Sequence, residues 1–457
     1  MLKIGKTKDR PALSESKKFL EIMKIHFIGI GGIGVSALAR YYLAQGYKIS
    51  GSDLVSCEIT KALEKLGAKI FIGKHRAKNL PKDTDLVVYS PAVEEKNPEL
   101  KKAKKLKIKC QSYPHALGEL TKDHFTIAVC GSHGKSTVAS MIGLILTKAK
   151  LAPTVILGTK LKEFGDSNCR VGKSKYLVIE ADEYKESFLN YWPKIIVLLN
   201  IEYDHPDYFK NLHHYILAYK KFVFRLPKDG ILVANKDDKN ISNLKSQISK
   251  LKIKIQNYSL KEKESEKLRK ILKIPGEFNV SNALAALKVA RILKIPDKIS
   301  LKTLSQYRGS WRRFEEKRVK IDNFKFTIIN DYGHHPTQVK VTLKAVREKY
   351  KNKTIWCIYQ PHQYQRTYYL FNDFIGVFKK NPVDKVIITD IYTVSGRESK
   401  EIMRKVNAQK LVEAIEKKNV IYLPKEKIIN YLKKNLRGGE VVIIMGAGDI
   451  YNLALRF

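Results

Sequence analysis

The chain has 457 residues, of which 44% are hydrophobic and 29% charged, a globular composition over a length that exceeds one hydrophobic core. Its formal net charge is +41, but the lysines are scattered without interleaved aromatic residues, which disfavours a nucleic-acid partner. The five cysteines form no C-x-x-C pair, which argues against a thiolate metal site and for a reducing compartment.

The first residues, 1–22, are predicted to form a polar extension without the apolar centre of a signal peptide. No later stretch approaches the roughly 20 apolar residues of a membrane span. We therefore expect a cytoplasmic protein that binds neither nucleic acid nor membrane, as a monomer or a weak homodimer.

From Lys24 onward, short apolar strands alternate with amphipathic helices, which predicts parallel β-α-β units. The first series has strands at KIHFIGI, KISGSD, AKIFIG and DLVVYS, with helices at GVSALARYYLAQG and ITKALEKLG. A second series starts at Phe125 with FTIAVC, KYLVIEAD, KIIVLLNI and GILVANKDD, and a third near Arg313 with FTIINDY, KTIWCIYQ, DKVIITDIY and EVVIIMGAGD. Three α/β domains are predicted, at 23–122, 123–308 and 309–457.

A glycine-rich turn, GIGGIG, follows the first strand and opens a helix. Its glycines would allow a sharp turn and close approach of a diphosphate to the helix N-terminus; they are Gly29, Gly31, Gly32 and Gly34. Asp53 ends the next strand, where a dinucleotide-binding fold places its ribose acid. The turn alone leaves two alternatives, a nicotinamide-dependent enzyme or a plain tight turn.

A second glycine loop, CGSHGKST, lies between strand FTIAVC and an apolar helix. Backbone amides of Gly131–Lys135 would form a nest for phosphate oxygens, Lys135 would neutralise the β- and γ-phosphates, and Ser136 would ligate Mg²⁺. The glycines are closer together than in the common G-x-x-x-x-G-K-[ST] loop. The alternative is that Lys135 is only a solvated residue at a helix start.

Acidic clusters end two later strands of the same series. They comprise Glu180, Asp182 and Glu183 in the first cluster, and Asp204, His205 and Asp207 in the second. Because strand carboxyl ends face one crevice in a parallel sheet, these hard donors are predicted to meet the phosphate loop and bind metal.

Further polar groups follow in the last two series. Asn279 and Asn282 lie on one face of a starting helix, as caps or as nucleotide ligands. The remaining candidates are Arg312, Arg313 and Glu315 in SWRRFE, Asp331, His334 and His335 in NDYGHHPT, and His362 and Arg366 in QPHQYQRT. No side-chain nucleophile stands out, so the groups suit two substrates arranged around a phosphoryl transfer.

Taken in order, these segments resemble the Mur ligases, the ATP-dependent amino-acid ligases of peptidoglycan synthesis. The matching segments are IHFIGIGGIGVSALA, SPAV, GSHGKST, EADE, DHPDYF, FNVSNALAA, RRFE, DYGHHPT, QPHQYQRT and MGAGDIY, from residue 24 to the end. The resemblance is greatest to the branch that adds L-alanine to UDP-N-acetylmuramate. It implies a Rossmann-like domain for the UDP-sugar, a central P-loop ATPase-type domain with a parallel sheet, and a Rossmann-like amino-acid domain.

The resemblance also implies the chemistry. ATP would phosphorylate the muramoyl carboxylate, and the amine of L-alanine would attack the acyl phosphate. Two Mg²⁺ ions would assist, with Mn²⁺ as a substitute, and the first glycine turn would hold a UDP diphosphate rather than a redox cofactor.

Residue roles follow from the same resemblance. The catalytic residues would be Lys135, Glu180, His205, Arg313 and Asp331, and the metal ligands Ser136, Glu180 and His205. ATP would be bound by Gly131, Ser132, His133, Gly134, Lys135, Ser136, Thr137, Asn279, Asn282, Arg313 and Asp331. The UDP-sugar would contact Gly29, Gly31, Gly32, Gly34, Asp53, Ser90 and His133, and the amino acid Tyr332, His334 and Arg366.

One position departs from the family pattern. The alanine-adding members usually read QPHRYTRT, and this chain has Gln363 at the first arginine. Alanine is therefore the first candidate for the amino-acid substrate, and glycine or serine is the next. The alternatives are a related Mur ligase that adds another amino acid or a recycled peptide, and a nucleotide-switched regulatory or nucleic-acid-binding protein.

Overall fold

The structure, a computed structural model, describes residues 22–248, 251–321, 324–394 and 397–456. The predicted polar extension, 1–22, lies outside these residues except for Ile22. Three sheets follow one another along the chain, each with its own helices. Within the described ranges, no helix combines the length and the apolar character needed to cross a membrane.

The first sheet is wholly parallel, in the order β3-β2-β1-β4-β5. Its strands are β1 (Lys24–Ile28), β2 (Lys48–Asp53), β3 (Lys69–Ile72), β4 (Leu86–Tyr89) and β5 (Lys109–Ser112), and its helices are α1 (Ile33–Ala44), α2 (Glu58–Lys65), α3 (Pro98–Lys105) and α4 (Tyr113–Lys122). The chain runs from β1 to β2 and β3 on one side of β1, and it then returns to β4 on the other side of β1. At such a point the order of the strands reverses, and a crevice opens beyond the carboxyl end of β1.

The second sheet has seven strands in the order β12-β11-β10-β6-β9-β7-β8. Its strands are β6 (Phe125–Cys130), β7 (Thr154–Leu161), β8 (Ser167–Arg170), β9 (Tyr176–Glu180), β10 (Ile195–Leu198), β11 (Ile231–Asn235) and β12 (Lys254–Tyr258). Its helices are α5 (Lys135–Lys148), α6 (Leu212–Val223), α7 (Lys239–Gln247), α8 (Glu264–Ile271), α9 (Glu277–Ile292) and α10 (Asp297–Gln306). β6 is central, and β9 and β10 flank it.

The third sheet has the order β13-β14-β18-β15-β16-β17. Its strands are β13 (Glu315–Ile321), β14 (Phe324–Asp331), β15 (Ile355–Tyr359), β16 (Lys385–Ile388), β17 (Val420–Tyr422) and β18 (Val441–Met445). Its helices are α11 (Pro336–Lys349), α12 (Tyr364–Tyr369), α13 (Phe371–Lys379), α14 (Lys400–Lys405), α15 (Ala408–Ile415) and α16 (Lys425–Asn435). Short 3-10 helices cover Ala77–Asn79, Lys162–Phe164, Tyr184–Asn190 and Asp449–Leu455.

The predicted α/β fold with a parallel central sheet is confirmed, and among the described residues β7–β8 and β13–β14 are antiparallel pairs. β8 returns beside β7 through a short 3-10 turn that ends at Gly165, which has a φ of +73°. β13 likewise returns beside β14 at the edge of the third sheet. Both pairs are local, because a short connection can join only antiparallel neighbours.

Helix α5 explains why the phosphate loop is rigidly placed. Every residue from Ser136 to Leu146 is buried, because the helix is apolar on all sides and lies between the sheet and helices α9 and α10. A helix packed in this way fixes the direction of its first turn, where the loop ends.

A buried carboxylate lies beneath the first glycine turn. Glu99 accepts hydrogen bonds from His26 (2.8 Å), Ser52 (2.7 Å) and His75 (2.9 Å). Burial would raise the pKa of Glu99, but these hydrogen bonds lower it to about 2. The carbonyl of Ser52 in turn accepts the amide of Gly29 at 2.8 Å, so the network supports the turn.

Candidate active site

The phosphate loop occupies the four residues between β6 and α5. Gly131 and Gly134 have φ values of +136° and +90°, which favour glycine. A Cβ atom on Gly134 would lie 2.6 Å from Oδ1 of Asn282, so the glycine also lets helix α9 approach the loop. The missing side chain at Gly134 thus leaves room for Asn282 against the loop.

Lys135 directly follows these four residues as the first residue of α5, and it is the lysine of the motif CGSHGKST. Its Nζ donates to the carbonyl of Gly131 at 2.8 Å and to the carboxylate of Glu183 at 2.8 and 3.1 Å. Burial would lower the pKa of Lys135, but Glu183 and then Asp182 hold it above its ordinary value. The ammonium is therefore protonated at neutral pH.

Ser136 and Glu180 form an oxygen pair beside the loop. The serine hydroxyl donates to Glu180 Oε2 at 2.7 Å, and the amide of Gly158 donates to the other carboxylate oxygen. Burial raises the pKa of Glu180, against the opposing effect of these hydrogen bonds. A hydroxyl and a carboxylate are donors that Mg²⁺ prefers, so the chemistry of the pair fits this ion.

His205 lies beside a second pair of acids. Its Nε2 is 3.5 Å from Glu183 Oε1, and ligand atoms of Asp182, Glu183 and His205 all lie within 4.8 Å of one another. Its φ is +56°, a strained backbone for a non-glycine residue. The structure thus joins His205 to Asp182 and Glu183, whereas Glu180 pairs with Ser136.

A cavity of about 580 Å³ opens next to the loop, between the second and third domains. Its lining includes His133, Gly134, Thr137, Asn279, Asn282, Arg313 and Asp331 from the predicted nucleotide set. Helix α9 starts at Glu277 with Gly276 before it, so neither Asn279 nor Asn282 is its N-cap. This volume is within the range of small-molecule sites.

Arg313 and Asp331 reach the cavity from the third domain. Asp331 accepts the amides of Phe314 and Gly333 at 2.9 and 2.8 Å, which fixes its carboxylate. Burial raises the pKa of Asp331, and Arg313 acts in the opposite direction. The guanidinium of Arg313 lies 4.8 Å from the ring centroid of Tyr332.

The first glycine turn brings its predicted residues together. Gly29 has a φ of +76°, and a Cβ there would lie 3.0 Å from that of Ser90. The amide of Gly31 donates to Asp53 Oδ2 at 2.8 Å, and Gly32 is the N-cap of α1. Asp53 therefore stabilises the turn itself.

Tyr113 connects this turn with the central domain. A Cβ on Gly34 would lie 2.7 Å from Cζ of Tyr113. Burial raises the pKa of this tyrosine, and the charges of Glu180 and Asp182 raise it further. The first turn and the acids of the central domain therefore flank the same aromatic ring.

His133 connects the phosphate loop with the third domain. Its Nδ1 accepts the side-chain amide of Gln338 at 2.9 Å, so its Nε2–H donates to Glu202 at 2.9 Å. Ser132, beside it, donates to the carbonyl of Glu202 at 2.7 Å. The predicted contact of His133 with a sugar stays a prediction.

The segment 200–209 of the central domain contacts the third domain at several residues. Thr337 donates to the carboxylate of Glu202, and His335 Nε2 donates to the carbonyl of Tyr203 at 3.2 Å. Both contacts come from the start of α11, where His335 is the N-cap.

Two ion pairs continue this contact toward His205. Arg366 donates to Asp204 at 2.9 Å, and both side chains are almost fully buried. Arg397 makes two hydrogen bonds of 2.8 Å to Asp207, and its Nη2 lies 3.4 Å from His205 Nδ1. His205 is therefore flanked by groups from both domains.

The predicted amino-acid residues form one group. The rings of Tyr332 and His334 are 5.4 Å apart, and those of His334 and His362 5.5 Å. Arg366 Nη1 donates to His362 Nδ1 at 3.1 Å. Burial, followed by the charge of Arg366, lowers the pKa of His334 well below its ordinary value and that of His362 to about 3. Both imidazoles are neutral.

Gln363, the position that departs from the family pattern, follows His362 in the chain. The residue is fully buried at the N-cap of α12 with a φ of +71°. Among the described residues, neither its side-chain nitrogen nor its oxygen has a hydrogen-bond partner.

Several residues of the site were not singled out in the sequence. They are Glu202, Tyr215, Gln338 and Arg397. The acidic run EADE already marks Glu183 as a metal candidate, but its pairing with Lys135 depends on the fold. Gln338 and Arg397 carry no local signal, because their partners lie in another domain.

Three family models match successive parts of the chain. The model of the Mur ligase family, catalytic domain, matches residues 24–125. The Mur ligase middle domain matches 129–290, and the Mur ligase, glutamate ligase domain, matches 312–448.

Individual relatives match over almost the whole length. The UDP-N-acetylmuramate–L-alanine ligase of Acetivibrio thermocellus is 42% identical over 456 residues and covers 95% of each chain. The crystal structure of the UDP-N-acetylmuramate-alanine ligase of Thermotoga maritima has a TM-score of 0.77 at 26% identity, covering 95% of this chain and 98% of that one. A murein peptide ligase of Psychrobacter arcticus, at 22% identity with the same coverage and a TM-score of 0.71, shares the fold.

Proposed function

Because the chain belongs to the Mur ligase family, we propose that it joins L-alanine to the carboxylate of UDP-N-acetylmuramate at the expense of ATP. The observation that carries this function is the 42% identity, over 95% of both chains, to an alanine-adding ligase. The domains we propose are 23–122 for the UDP-sugar, 123–308 for ATP and 309–457 for the amino acid. The predicted cytoplasmic location and oligomeric state stay predictions.

The reaction proceeds through an acyl phosphate. The muramoyl carboxylate attacks the γ-phosphorus of ATP, and ADP leaves. The amine of alanine then attacks the acyl carbon, and the tetrahedral intermediate expels phosphate. Positioning and charge stabilisation suffice for this chemistry, which agrees with the absence of an obvious side-chain nucleophile in the motifs.

ATP would bind in the cavity beside α9. Its adenine side would lie near Asn279 and Asn282, and its phosphates would lie in the loop Gly131–Thr137. The protonated Lys135 would stabilise negative charge on the γ-phosphoryl group. Arg313 would approach the phosphates from the third domain.

Magnesium would be held at two places at this edge of the sheet. Ser136 and Glu180 would bind one ion, and His205 beside Asp182 would bind the other, with Mn²⁺ as a substitute. When bound, the ions would neutralise charge on the phosphoryl group.

The UDP-sugar would occupy the first domain, with its diphosphate at the turn Gly29–Gly34 and its muramoyl end toward His133. The amino acid would bind at Tyr332, His334 and Arg366. In that position the neutral imidazole of His334 adds no second positive charge beside the amine of the substrate.

Gln363 provides a prediction about the amino-acid site. Replacing Gln363 by arginine is expected to lower the KM for the amino acid about tenfold, since a charged hydrogen bond to the carboxylate is worth about 1.5–3 kcal/mol. Initial rates of phosphate release against amino-acid concentration measure this. Gln365→Arg, two residues along, is the control and should leave the KM unchanged. A KM in Gln363→Arg equal to that of the wild type would show that position 363 does not belong to the amino-acid site.

The function itself is tested by the requirements for phosphate release. The purified protein with ATP and Mg²⁺ should release phosphate only when UDP-N-acetylmuramate and an amino acid are both present. A panel of alanine, glycine and serine, with product mass, then identifies the preferred amino acid. Phosphate release that does not need the UDP-sugar would contradict the ligase function.

A further inference from the structure

The charge on Lys135 is balanced inside the protein before any phosphate arrives. The carboxylate of Glu183 is fully buried and lies 2.8 Å from Lys135 Nζ. The loop lysine is thus half of a buried ion pair.

The contacts of this pair also restrict the direction of the ammonium group. An ammonium has three N–H bonds in a fixed tetrahedral arrangement. The carbonyl of Gly131 and the two carboxylate oxygens of Glu183 all lie within hydrogen-bond distance of Nζ. These contacts fix the position of the ammonium at the start of α5, where a phosphoryl group in the loop would meet it.

Glu183 is itself fixed from two further sides. Its Oε1 accepts the hydroxyl of Tyr215 at 2.9 Å, and this hydroxyl lies 3.1 Å from the hydroxyl of Ser132 in the loop. The same oxygen lies 3.5 Å from His205 Nε2. One carboxylate therefore contacts the loop lysine and the histidine of the second acidic cluster.

We propose that Glu183 is a positioning residue of the phosphoryl-transfer step, which holds the ammonium of Lys135 toward the transferring group. The proposal rests on the proposed function, because it needs a phosphoryl group at the loop. A purely structural role explains the arrangement less well, since apolar residues of similar volume often replace a buried ion pair without loss of stability.

The test compares two substitutions at this position. Glu183→Gln keeps the shape and removes the charge, and should lower kcat about 10²-fold, as expected for a misdirected catalytic group. Glu183→Asp keeps the charge but withdraws the carboxylate by one methylene, and should lower kcat about tenfold. In both, the KM values for UDP-N-acetylmuramate and alanine should stay within about twofold, because Glu183 belongs to neither of the sites proposed for these substrates.

A matched control lies three residues along the chain. Glu186 pairs with Lys221 at 2.8 Å on the surface, so Glu186→Gln makes the same chemical change and should leave kcat unchanged. If Glu183→Gln does not fold, Glu183→Asp still decides the question because it retains the ion pair. Calorimetric binding of UDP-N-acetylmuramate checks that each variant is intact.

A double variant separates a loss of ammonium orientation from general damage to the site. Both residues act through one ammonium, so Lys135→Ala/Glu183→Gln should be no slower than Lys135→Ala alone. Wild-type kcat in both Glu183 variants, or additive losses in the double variant, would overturn the proposal. An inactive wild-type protein would instead contradict the proposed ligase function, so the two failures are distinct.

Discussion

Replacing Lys135 by alanine is expected to reduce kcat by about 10³-fold, since removing one preorganised group at a developing charge costs about 10²–10³ in rate. The residue starts α5, its ammonium is protonated, and it directly follows Gly134, which lines the cavity proposed for ATP. No other lysine or arginine of the loop can take its place, because the loop contains only one cationic residue.

The measurement is single-turnover and steady-state phosphate release with saturating UDP-N-acetylmuramate, ATP and alanine. Lys148→Ala is the control, because this lysine is exposed at the other end of the same helix. Binding of UDP-N-acetylmuramate should be retained, since the first domain does not depend on the lysine. A kcat within about threefold of the wild type would refute the role of Lys135.

Replacing Asp204 by asparagine is expected to lower the free energy of unfolding by about 3–5 kcal/mol, because it leaves a buried guanidinium without its counter-ion. Arg366 and Asp204 are almost fully buried, and they join the second and third domains. Asparagine keeps the shape of the side chain, so the loss of unfolding free energy reports the removal of the negative charge rather than the creation of a cavity.

Urea unfolding at neutral pH measures this difference. Asp229→Asn is the control, since Asp229 pairs with Lys194 on the surface at 3.3 Å and should contribute less than about 1 kcal/mol. Adding Arg366→Met to Asp204→Asn should recover part of the loss, because no buried charge then remains. Equal unfolding midpoints for wild type and Asp204→Asn would contradict the prediction.

The same pair has a defined dependence on pH. Burial would raise the pKa of Asp204, but Arg366 holds it well below its ordinary value. The folded state therefore binds the proton more weakly than the unfolded state does. The stabilisation is complete above the ordinary pKa of aspartate and decreases as the pH falls below it. The difference between wild type and Asp204→Asn should shrink in the same range.

The α/β alternation in three successive series could be read from the sequence because buried parallel strands are continuous apolar runs. FTIAVC is a strand at Phe125–Cys130, and each of the other strands proposed from such a run is present. Some strands were missed, including the internal strand β7 and two edge strands. The edge strands KCQS in β5 and KIQNY in β12 have one unpaired side and few apolar residues. Their position is decided by the neighbouring strand rather than by their own composition.

The site was predictable where a motif carries its own geometry. The loop CGSHGKST identifies Lys135 and Ser136 because a strand, a turn and a helix are adjacent in the chain. The partners of these residues were not predictable in the same way. Glu183 is selected over Glu180 as the partner of Lys135 only by the three-dimensional turn after β9, and Gln338 meets His133 only because two domains touch.

The shared walls of the nucleotide cavity have a thermodynamic consequence. Since residues of two domains line the cavity, a nucleotide bound there would contact both domains and stabilise their apposition. Thr337 and Gln338 contact Glu202 and His133 and so support the same apposition. The apparent affinity for a nucleotide would then depend on the whole interface, including residues that bind no phosphate.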